Sequence, residues 1–303
     1  EDNKSRKVDF RVSIIPGSYG QEAVIRIMDP QRVILDLNKL GMPENILKSY
    51  SRMVSYPSGL ILTTGPTGSG KTSTLYASVQ NMVTRGLKVM TAEDPVEYEM
   101  AKVNQKSINE FMGFSDYIRS FLRQNPDTIL VGEIRDKETA EIAIEAALTG
   151  HLVLATLHTN DAPGAASRLI QMGVEPFLVA ATLRAVIAQR LVRKLCDSCK
   201  RPIEHSDAVH DQYAKQGLER QQHFASAGCP ACRNTGYDGR CGVFEVMKVT
   251  DGLQDLIASN PSSSDIRSLA LKEGMDSLLG DAFQRVNIGL TTVEEALRAG
   301  GKS

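Results

Sequence analysis

Short apolar runs alternate with segments of helical periodicity between residues 59 and 193 of the chain. The runs have the length and composition of buried strands and cover residues 60–64, 87–92, 128–131 and 152–156. Apolar positions at helical spacing predict helices near residues 73–84, 115–123, 137–149, 161–172 and 176–193. This alternation predicts an α/β fold whose parallel sheet is covered by helices on both faces.

The N-terminal region has the pattern of a β-hairpin. Residues 8–13 alternate apolar and polar side chains, and residues 23–28 form a second strand-like run beyond the turn at 16–20. Arg11 and Arg26 are polar members of these two strands. A solvated position is the ordinary interpretation of an arginine on a strand.

These patterns divide the chain into five predicted segments. A linker and a helix over residues 42–56 precede the α/β core, and the tail after residue 251 is helical, with a capping signal at Thr292 and Glu295. The segments are 1–29 with the hairpin, 30–57 with the linker and helix, 58–193 as the core, 194–247 with paired cysteines, and 248–303 as a helical subdomain.

Composition and charge argue against several classes of protein. The 303 residues are enough for two or three compact units. With 35 Lys and Arg against 36 Asp and Glu, and no Trp, the chain has no evident surface for nucleic acid. No apolar run approaches the length of a membrane span and the first residues are charged, so we expect a cytosolic protein. Because residue 1 is Glu and not Met, we also expect the chain to begin inside a larger protein.

A glycine-rich loop follows the first strand of the core. The sequence Gly65-Pro66-Thr67-Gly68-Ser69-Gly70-Lys71-Thr72 has the spacing of a phosphate-binding loop between a strand and a helix. The glycines let backbone N–H groups curl around phosphate oxygens, and the start of the helix attracts negative charge. Lys71 would reach the terminal phosphates of a nucleoside triphosphate, and the Thr72 hydroxyl would bind a bridging Mg²⁺ ion.

Acidic residues and a histidine follow the next three strands. Ligands of open α/β sheets bind beyond the carboxyl ends of the strands. Three carboxylates within residues 93–97, including Glu97, repel one another unless a cation such as a magnesium nucleotide is near. Glu133 is either a metal-orienting carboxylate or a charge paired with Arg135. His158 is either a structural residue or a hydrogen-bond donor to a γ-phosphate.

Four cysteines form two CxxC pairs, Cys196 with Cys199 and Cys229 with Cys232. Thiolate pairs at this spacing suit tetrahedral Zn²⁺, and four protein ligands make the site closed and structural. Two disulfides or redox-active CxxC motifs are the alternative, which a cytosolic chain without a thioredoxin pattern disfavours. The fifth cysteine, Cys241, is expected to be buried as a small apolar residue.

Together these motifs resemble those of the GspE/PilB family, the ATPases of type II secretion systems and of type IV pilus assembly. The resemblance covers nearly the whole chain. It rests on the phosphate loop GPTGSGKT, the aspartate box EDPVEY, the Walker B segment ILVGEIRD, the histidine box TGHLVLATLHTND, the cysteine motif CDSC…CPAC and the hairpin RVSIIP…GSYGQEAVIRIMD.

The resemblance implies a RecA-like P-loop NTPase core. It also implies a tetracysteine zinc subdomain, a C-terminal helical subdomain and the remnant of a small PAS-like N-terminal β domain. Residues 1–29 would be the C-terminal part of the second N-terminal domain of the family.

Roles for the residues of the core follow from the same resemblance. The phosphate loop would bind ATP, and Thr72 and Glu133 would hold Mg²⁺ directly or through water. Glu97 would polarise the attacking water with help from Glu133, and the sequence does not decide which of the two is the general base. His158 would sense the γ-phosphate.

The resemblance changes the interpretation of the two hairpin arginines. Arg11 and Arg26 would clamp the phosphates when the N-terminal domain closes on the core. An arginine-finger role suits a planar donor that is always charged. Their interpretation as solvated residues is therefore demoted.

The resemblance implies a homo-hexamer whose Mg-dependent ATP hydrolysis powers type IV pilus assembly or extension of a secretion pseudopilus. Such a motor is cytoplasmic and attaches peripherally to the inner membrane through a platform protein and other secretion or pilus components. No nucleic acid partner is expected.

Three other functions remain open at this point. Pilus retraction ATPases share the nucleotide-binding boxes but generally lack the four cysteines. A RecA-like nucleic-acid motor conflicts with the balanced charge of this chain. An adaptor switched by nucleotide would bind ATP without turning it over.

Overall fold

The computed structural model describes residues 8–29, 33–204, 207–219 and 221–301. The strands of this part are β1 (Asp9–Gly17), β2 (Gly20–Met28), β3 (Gly59–Thr64), β4 (Val89–Glu93), β5 (Asn104–Ser107), β6 (Thr128–Val131), β7 (Leu152–Leu157), β8 (Leu183–Leu195), β9 (Arg201–Ile203), β10 (His223–Ala225) and β11 (Tyr237–Lys248). The α-helices are α1 (Glu44–Met53), α2 (Lys71–Thr84), α3 (Phe114–Leu122), α4 (Lys137–Leu148), α5 (Pro163–Gln171), α6 (Pro176–Thr182), α7 (Asp207–Lys215), α8 (Asp251–Ala258), α9 (Ser263–Lys272), α10 (Leu278–Asn287) and α11 (Val293–Ala299). Among the described residues, no helix combines the length and the apolar character that a bilayer crossing requires.

Seven strands form the central sheet, in the order β11-β8-β3-β7-β6-β4-β5. All neighbouring pairs are parallel except the pair of β11 with β8, which is antiparallel at the edge. The predicted α/β fold with a parallel sheet is therefore confirmed. The phosphate-loop strand β3 lies between β7 and β8, near the middle of the sheet.

Alternate side chains of the buried strands enter two separate hydrophobic cores. On β3, Leu60 and Leu62 belong to one core and Ile61 to the other, and all three are fully buried. Helices α1 and α2 contribute to the core on one face of the sheet. Helices α3 to α6 and the C-terminal helices contribute to the other core. Burial on both faces explains why these strands are continuous apolar runs.

The four predicted core strands are confirmed with bounds that shift by two residues or fewer at each end. The predicted helix over residues 176–193 is wrong beyond Thr182, where the chain becomes the extended strand β8. The run from Leu183 to Val192 is apolar enough for either element, so periodicity alone does not distinguish them. The β-branched Val186 and Ile187 pack well in a sheet, and β8 fills the place between β3 and β11.

The predicted hairpin is confirmed: β1 pairs with β2 antiparallel, around a turn at Ser18 and Tyr19. One face of the hairpin is apolar and more than half exposed, with Phe10, Val12, Ile14, Ile25 and Ile27. A two-stranded sheet is marginal by itself in water. An exposed apolar face of this kind is typical of a packing surface.

The predicted helical tail is confirmed by helices α8 to α11. They pack on the same side of the sheet as α5 and α6, and Phe283 of α10 stacks on Tyr213 of α7 at a centroid distance of 4.3 Å. The cysteine-containing segment has its own small sheet of β9 and β10, while β11 from the same segment joins the central sheet. The division into five segments stays a prediction. Strands of the central sheet lie in both the 58–193 and the 194–247 segment.

Candidate functional site

The carboxyl ends of the parallel strands bring most predicted site residues to one edge of the sheet. In the strand register, Thr64 pairs with Leu157, and Val131 pairs with both Ala155 and Ala92. The segments that follow these strands line a cavity of about 680 Å³. A cavity of this size is in the usual range for small-molecule and cofactor sites.

Not every predicted residue lines this cavity. Those that do are residues 67–72 of the phosphate loop, Glu97, Glu133, His158 and Arg26. Gly65, Pro66 and Arg11 are not among the lining residues. The cavity also contains Arg135 and Arg240, which the sequence did not suggest as site residues.

At two positions of the phosphate loop, the close approach of strand β8 leaves room only for glycine. Gly65 and Gly70 have φ of +144° and +92°, which side chains rarely adopt. A Cβ atom at Gly65 would lie 2.5 Å from the carbonyl oxygen of Gln189, and one at Gly70 would lie 2.7 Å from its Nε2. The Thr74 hydroxyl donates to Gln189 Oε1 at 2.7 Å, so the buried Gln189 fixes the first turn of α2 beside the loop.

Lys71 is folded over the loop that precedes it. Its ammonium group donates to the carbonyl oxygens of Gly65 and Pro66, at 2.7 and 3.1 Å. Burial and the positive charge of Arg190 lower the pKa of Lys71. The N–H groups at the start of α2 have no acceptors within the helix, which is the arrangement that binds anions.

Glu133 lies two residues beyond the end of β6 and is held by His158 and Arg135. His158 Nε2 approaches Glu133 Oε2 at 3.0 Å, and Arg135 forms an ion pair with Glu133 Oε1. Arg135 also contacts Asp94 at 3.1 Å. Arg135 therefore connects the segments that follow β4 and β6, and the sequence-based pairing of Glu133 with Arg135 is present.

His158 is oriented by this carboxylate. Burial lowers its pKa, and the positive charges of Lys71 and Arg135 act in the same direction. His158 is therefore predominantly neutral near pH 7. Because a carboxylate only accepts hydrogen bonds, Nε2 carries the ring proton and donates to Glu133.

Glu93 at the end of β4 and Glu97 beyond it have different environments. Glu93 is buried and accepts from the hydroxyls of Tyr76 and Thr91 and from the Gln105 amide. Tyr76 in turn accepts from the backbone N–H of Glu97 at 3.2 Å. Burial and the Glu93 carboxylate strongly raise the pKa of the Tyr76 phenol, so it remains a donor. Glu93 thus fixes the segment that carries Glu97, whose side chain is exposed.

The end of β3 is joined to the segment after β7. The Thr64 hydroxyl accepts from the Thr159 backbone N–H at 2.8 Å and lies 2.7 Å from the Thr159 hydroxyl. It also lies within hydrogen-bonding distance of the carbonyl oxygens of Leu157 and Thr159. Because His158 lies between Leu157 and Thr159 in the chain, the hydrogen bonds of Thr64 to these two residues set the position of His158 relative to the phosphate loop.

Arg11 and Arg26 are directly opposite each other in the hairpin. Cross-strand neighbours point to the same face, and like charges in this arrangement are destabilising. Arg26 reaches the lining of the cavity, whereas Arg11 does not. An anion between the two guanidinium groups, or beside them, would offset this repulsion.

The four paired cysteines come together as the sequence predicts. Their sulfur atoms all lie within 4.8 Å of one another. Three of the separations are 3.7 Å for Cys229 and Cys232, 3.8 Å for Cys196 and Cys229, and 3.9 Å for Cys199 and Cys232. Tetrahedral Zn²⁺ with bonds of about 2.3 Å requires sulfur separations of about 3.8 Å. The group therefore fits a zinc ion.

Backbone donors favour the thiolate form of Cys232. Burial alone would raise the pKa of Cys232, but the N–H groups of Cys229 and Gly236, each 3.2 Å from its sulfur, outweigh it. Together with the neighbouring Cys229 and Cys199 thiols, they lower the pKa of Cys232 to about 6. Thiolate is the form that binds metal.

The family model for the type II/IV secretion system protein matches residues 3–298. The chain belongs to this family. The sequence-based resemblance to secretion and pilus assembly ATPases is thereby confirmed at the level of the family.

Two relatives, one from pilus assembly and one from type II secretion, illustrate the similarity. The chain is 43% identical over 297 residues to the type IV pilus assembly ATPase PilB of Myxococcus xanthus, covering 96% of this chain and 52% of that protein. It is 42% identical over 295 residues to the type II secretion system ATPase E of Vibrio cholerae, covering 97% of this chain and 58% of that protein. The chain thus spans between half and three fifths of the length of these two relatives.

A solved structure has the same fold. The pilus retraction motor PilT with bound ADP superimposes with a TM-score of 0.70 at 28% identity, covering 96% of this chain and 73% of that chain. The similarity supports the assignment of the sheet and its phosphate loop to a RecA-like P-loop core.

Several residues that shape the site in this family member were missed from sequence. Arg135 is anticipated only as a charge partner of Glu133, and its contact with Asp94 is not evident from the sequence. Tyr76 resembles an ordinary apolar position of α2, and nothing in the sequence reveals its bond to Glu93. The helical pattern of residues 176–193 conceals the contact of Gln189 with the phosphate loop.

We expect Tyr76→Phe to loosen the segment of Glu97. The change removes a donor from the buried Glu93 carboxylate and leaves the Glu97 N–H without its acceptor. The free energy of unfolding should fall by about 1–3 kcal/mol, and hydrogen exchange should speed up at the Glu97 amide. Tyr50→Phe is the matched control, because the buried Tyr50 hydroxyl bonds Ser78 instead. It should cost about 0.5–1.5 kcal/mol and leave Glu97 unchanged; equal exchange in both variants would contradict the role of Tyr76.

Proposed function

We propose that the chain forms the catalytic part of an ATPase that hydrolyses ATP with Mg²⁺ and drives pilus assembly or type II secretion. The observation that carries the proposal is the cavity in which the phosphate loop, Glu97, Glu133 and His158 face one another. Hydrolysis of a phosphoanhydride needs mainly positioning and charge stabilisation, which these groups supply. The named relatives in pilus assembly and type II secretion support the choice of process.

The phosphate loop and two oxygen ligands would hold the magnesium nucleotide. Residues 65–72 would surround the phosphates, with Lys71 as the cation. The Thr72 hydroxyl offers a hard oxygen donor of the kind that Mg²⁺ prefers, and Glu133, whose oxygens contact His158 and Arg135, would hold the ion through water. When bound, the ion would neutralise charge on the phosphate oxygens.

We assign the general base to Glu97. Both carboxylate oxygens of Glu133 are engaged by His158 and Arg135. The Glu97 side chain is exposed to the cavity and has no hydrogen-bond or ion-pair partner in the part of the chain that the structure describes. A free carboxylate can accept a proton from water, whereas Glu133 is better suited to orient groups around the phosphates. His158 would respond to the γ-phosphate through Glu133.

Hexameric assembly and membrane attachment belong to the same proposal. They rest on membership of the family and on the named functions of its relatives. A homo-hexamer would be held on the cytoplasmic face of the inner membrane by a platform protein and other machinery components. Native mass spectrometry with an ATP analogue measures the number of subunits directly.

Glu133→Gln and Lys71→Ala should each lower the rate of ATP hydrolysis by about 100-fold or more, since each removes charge stabilisation at the phosphates. Steady-state hydrolysis by the assembled protein in the presence of Mg²⁺ is the measurement. Glu141→Gln and Lys48→Ala are controls, because these residues form only exposed pairs within helices α4 and α1. Near-normal rates in the first two variants would overturn the site assignment.

Arg26→Ala and Arg11→Ala should lower kcat by up to about 1000-fold, as loss of an arginine finger does. Nucleotide affinity should change much less, because the arginines act when the hairpin closes on the bound phosphates. Glu22→Gln, on the same hairpin near its turn, is the control. Equal losses in kcat and in the affinity for a fluorescent ATP analogue would favour a simple binding role.

We further propose that the four cysteines hold one structural Zn²⁺ ion per chain. Metal analysis of the purified protein should give a stoichiometry near one, and Cys199→Ser should reduce it sharply because only three thiolates remain. Cys241→Ser is the matched control, since Cys241 lies outside the group of four. Removal of zinc by a chelator should lower the unfolding temperature of the native protein and of the Cys241→Ser variant alike. Full zinc content in Cys199→Ser would contradict the assignment.

A further inference from the structure

The segment after His158 is held from several directions. We call residues 158–162 the histidine loop. On the side of the phosphate loop, Thr64 binds Thr159, and Arg190 donates to the carbonyl oxygen of Asn160 at 2.8 Å. On the opposite side, the loop is tied to the C-terminal helices.

On this opposite side, Arg267 of helix α9 contacts the histidine loop. Arg267 lies 2.6 Å from Asp161 Oδ2 and 3.5 Å from Glu245 Oε2. Asp161 also accepts from the Gly164 N–H with its other oxygen, at 2.8 Å, so it is fixed to the first turn of α5. The planar guanidinium suits a position between two carboxylates.

Glu245 extends the tie to a second C-terminal helix. It lies on β11, is 1% exposed, and accepts from the backbone N–H of Ala162 at 2.7 Å. Its other oxygen is 3.3 Å from the N–H of Leu278, the first residue of α10. Burial raises the pKa of Glu245, and Arg267 opposes this change. One buried carboxylate thus joins the end of the histidine loop to the start of α10.

A cavity of about 830 Å³ borders these groups. Its lining mixes cations and anions: Arg190, Lys215 and Arg267 with Asp161, Glu245 and Asp276. The balanced charge does not select a ligand of either sign. The cavity instead leaves Arg267 one-third exposed, so the side chain can change partners without displacing packed atoms.

We propose that Arg267 is a positioning residue that couples the histidine loop to helices α9 and α10 of the C-terminal subdomain. When nucleotide at the phosphate loop changes the contacts of His158, the Asp161–Arg267–Glu245 bridge passes the displacement to the start of α10. Its use in a motor rests on the proposed ATPase function, whereas the coupling itself requires only nucleotide binding. Coupling between sites is reciprocal, so a partner that binds the C-terminal helices would change nucleotide affinity through the same bridge.

Hydrogen exchange of the full-length protein, with and without a non-hydrolysable Mg–ATP analogue, tests the coupling. In the unmodified protein, nucleotide should change exchange in residues 158–162 and, by about twofold to thirtyfold, at 277–281. In Arg267→Ala the first change should remain and the second should become clearly smaller, because only the direct hydrogen bonds of Glu245 to Ala162 and Leu278 still join the loop to α10. Asp161→Asn should give the same result, because it removes the charged partner of Arg267 but keeps an acceptor for Gly164. Arg267→Lys should restore part of the response at 277–281.

Arg193→Ala is the matched control. Arg193 also bridges the sheet to a buried C-terminal carboxylate, Glu295, but does not contact the histidine loop. Both exchange responses should survive in this variant. A nucleotide response at 277–281 that keeps its full size in Arg267→Ala and Asp161→Asn, or that is missing from the unmodified protein, would overturn the inference.

The two proposals fail in different ways. If the unmodified protein gives the expected exchange pattern but does not hydrolyse ATP, the ATPase function is wrong and the coupling stands. If hydrolysis is normal and the response at 277–281 does not depend on Arg267, the coupling alone is wrong.

Discussion

The parallel pairing of β3 with both β7 and β8 is the constraint on which the site depends. It places the end of the phosphate-loop strand beside the histidine loop on one side and beside Gln189 on the other. A slip of one residue in either pairing would turn every side chain of that strand to the opposite face. The buried alternation of Leu60, Ile61 and Leu62 between the two cores opposes such a slip.

Buried carboxylates provide the second level of organisation. Glu93, Glu245 and Glu295 are each 5% exposed or less, and each is surrounded by donors from separate elements. A buried charge is costly unless its hydrogen bonds are satisfied, so the elements that supply the donors are held in fixed positions. Glu93 organises the segment of Glu97, Glu245 the end of the histidine loop, and Glu295 the junction of α11 with β8.

Much of the site could be predicted from sequence because its parts are local. The phosphate loop and the two cysteine pairs are short patterns whose spacing reflects the chemistry directly, and each formed as expected. The positions of Glu133 and His158 followed from the rule that strand ends meet at one edge of a parallel sheet.

The remaining features depend on contacts between residues far apart in sequence. The sequence predicts a helix where strand β8 forms, because an apolar run that is buried on both faces has no distinguishing period. Tyr76, Gln189 and Arg267 have ordinary local surroundings, and their roles come from partners 17, 115 and 106 residues away: Glu93, Thr74 and Asp161. Such pairs become visible only when the tertiary structure is known.

The contact of Lys71 with its own loop has a consequence for nucleotide exchange. The two carbonyl oxygens that accept from its ammonium group act as an internal substitute for phosphate oxygens. Binding is therefore a replacement of one set of acceptors by another, and the net gain is smaller than a bare lysine–phosphate pair would give. After phosphate dissociates, the same two carbonyl oxygens can again accept hydrogen bonds from Lys71. The ammonium group therefore does not depend on water for its hydrogen bonds.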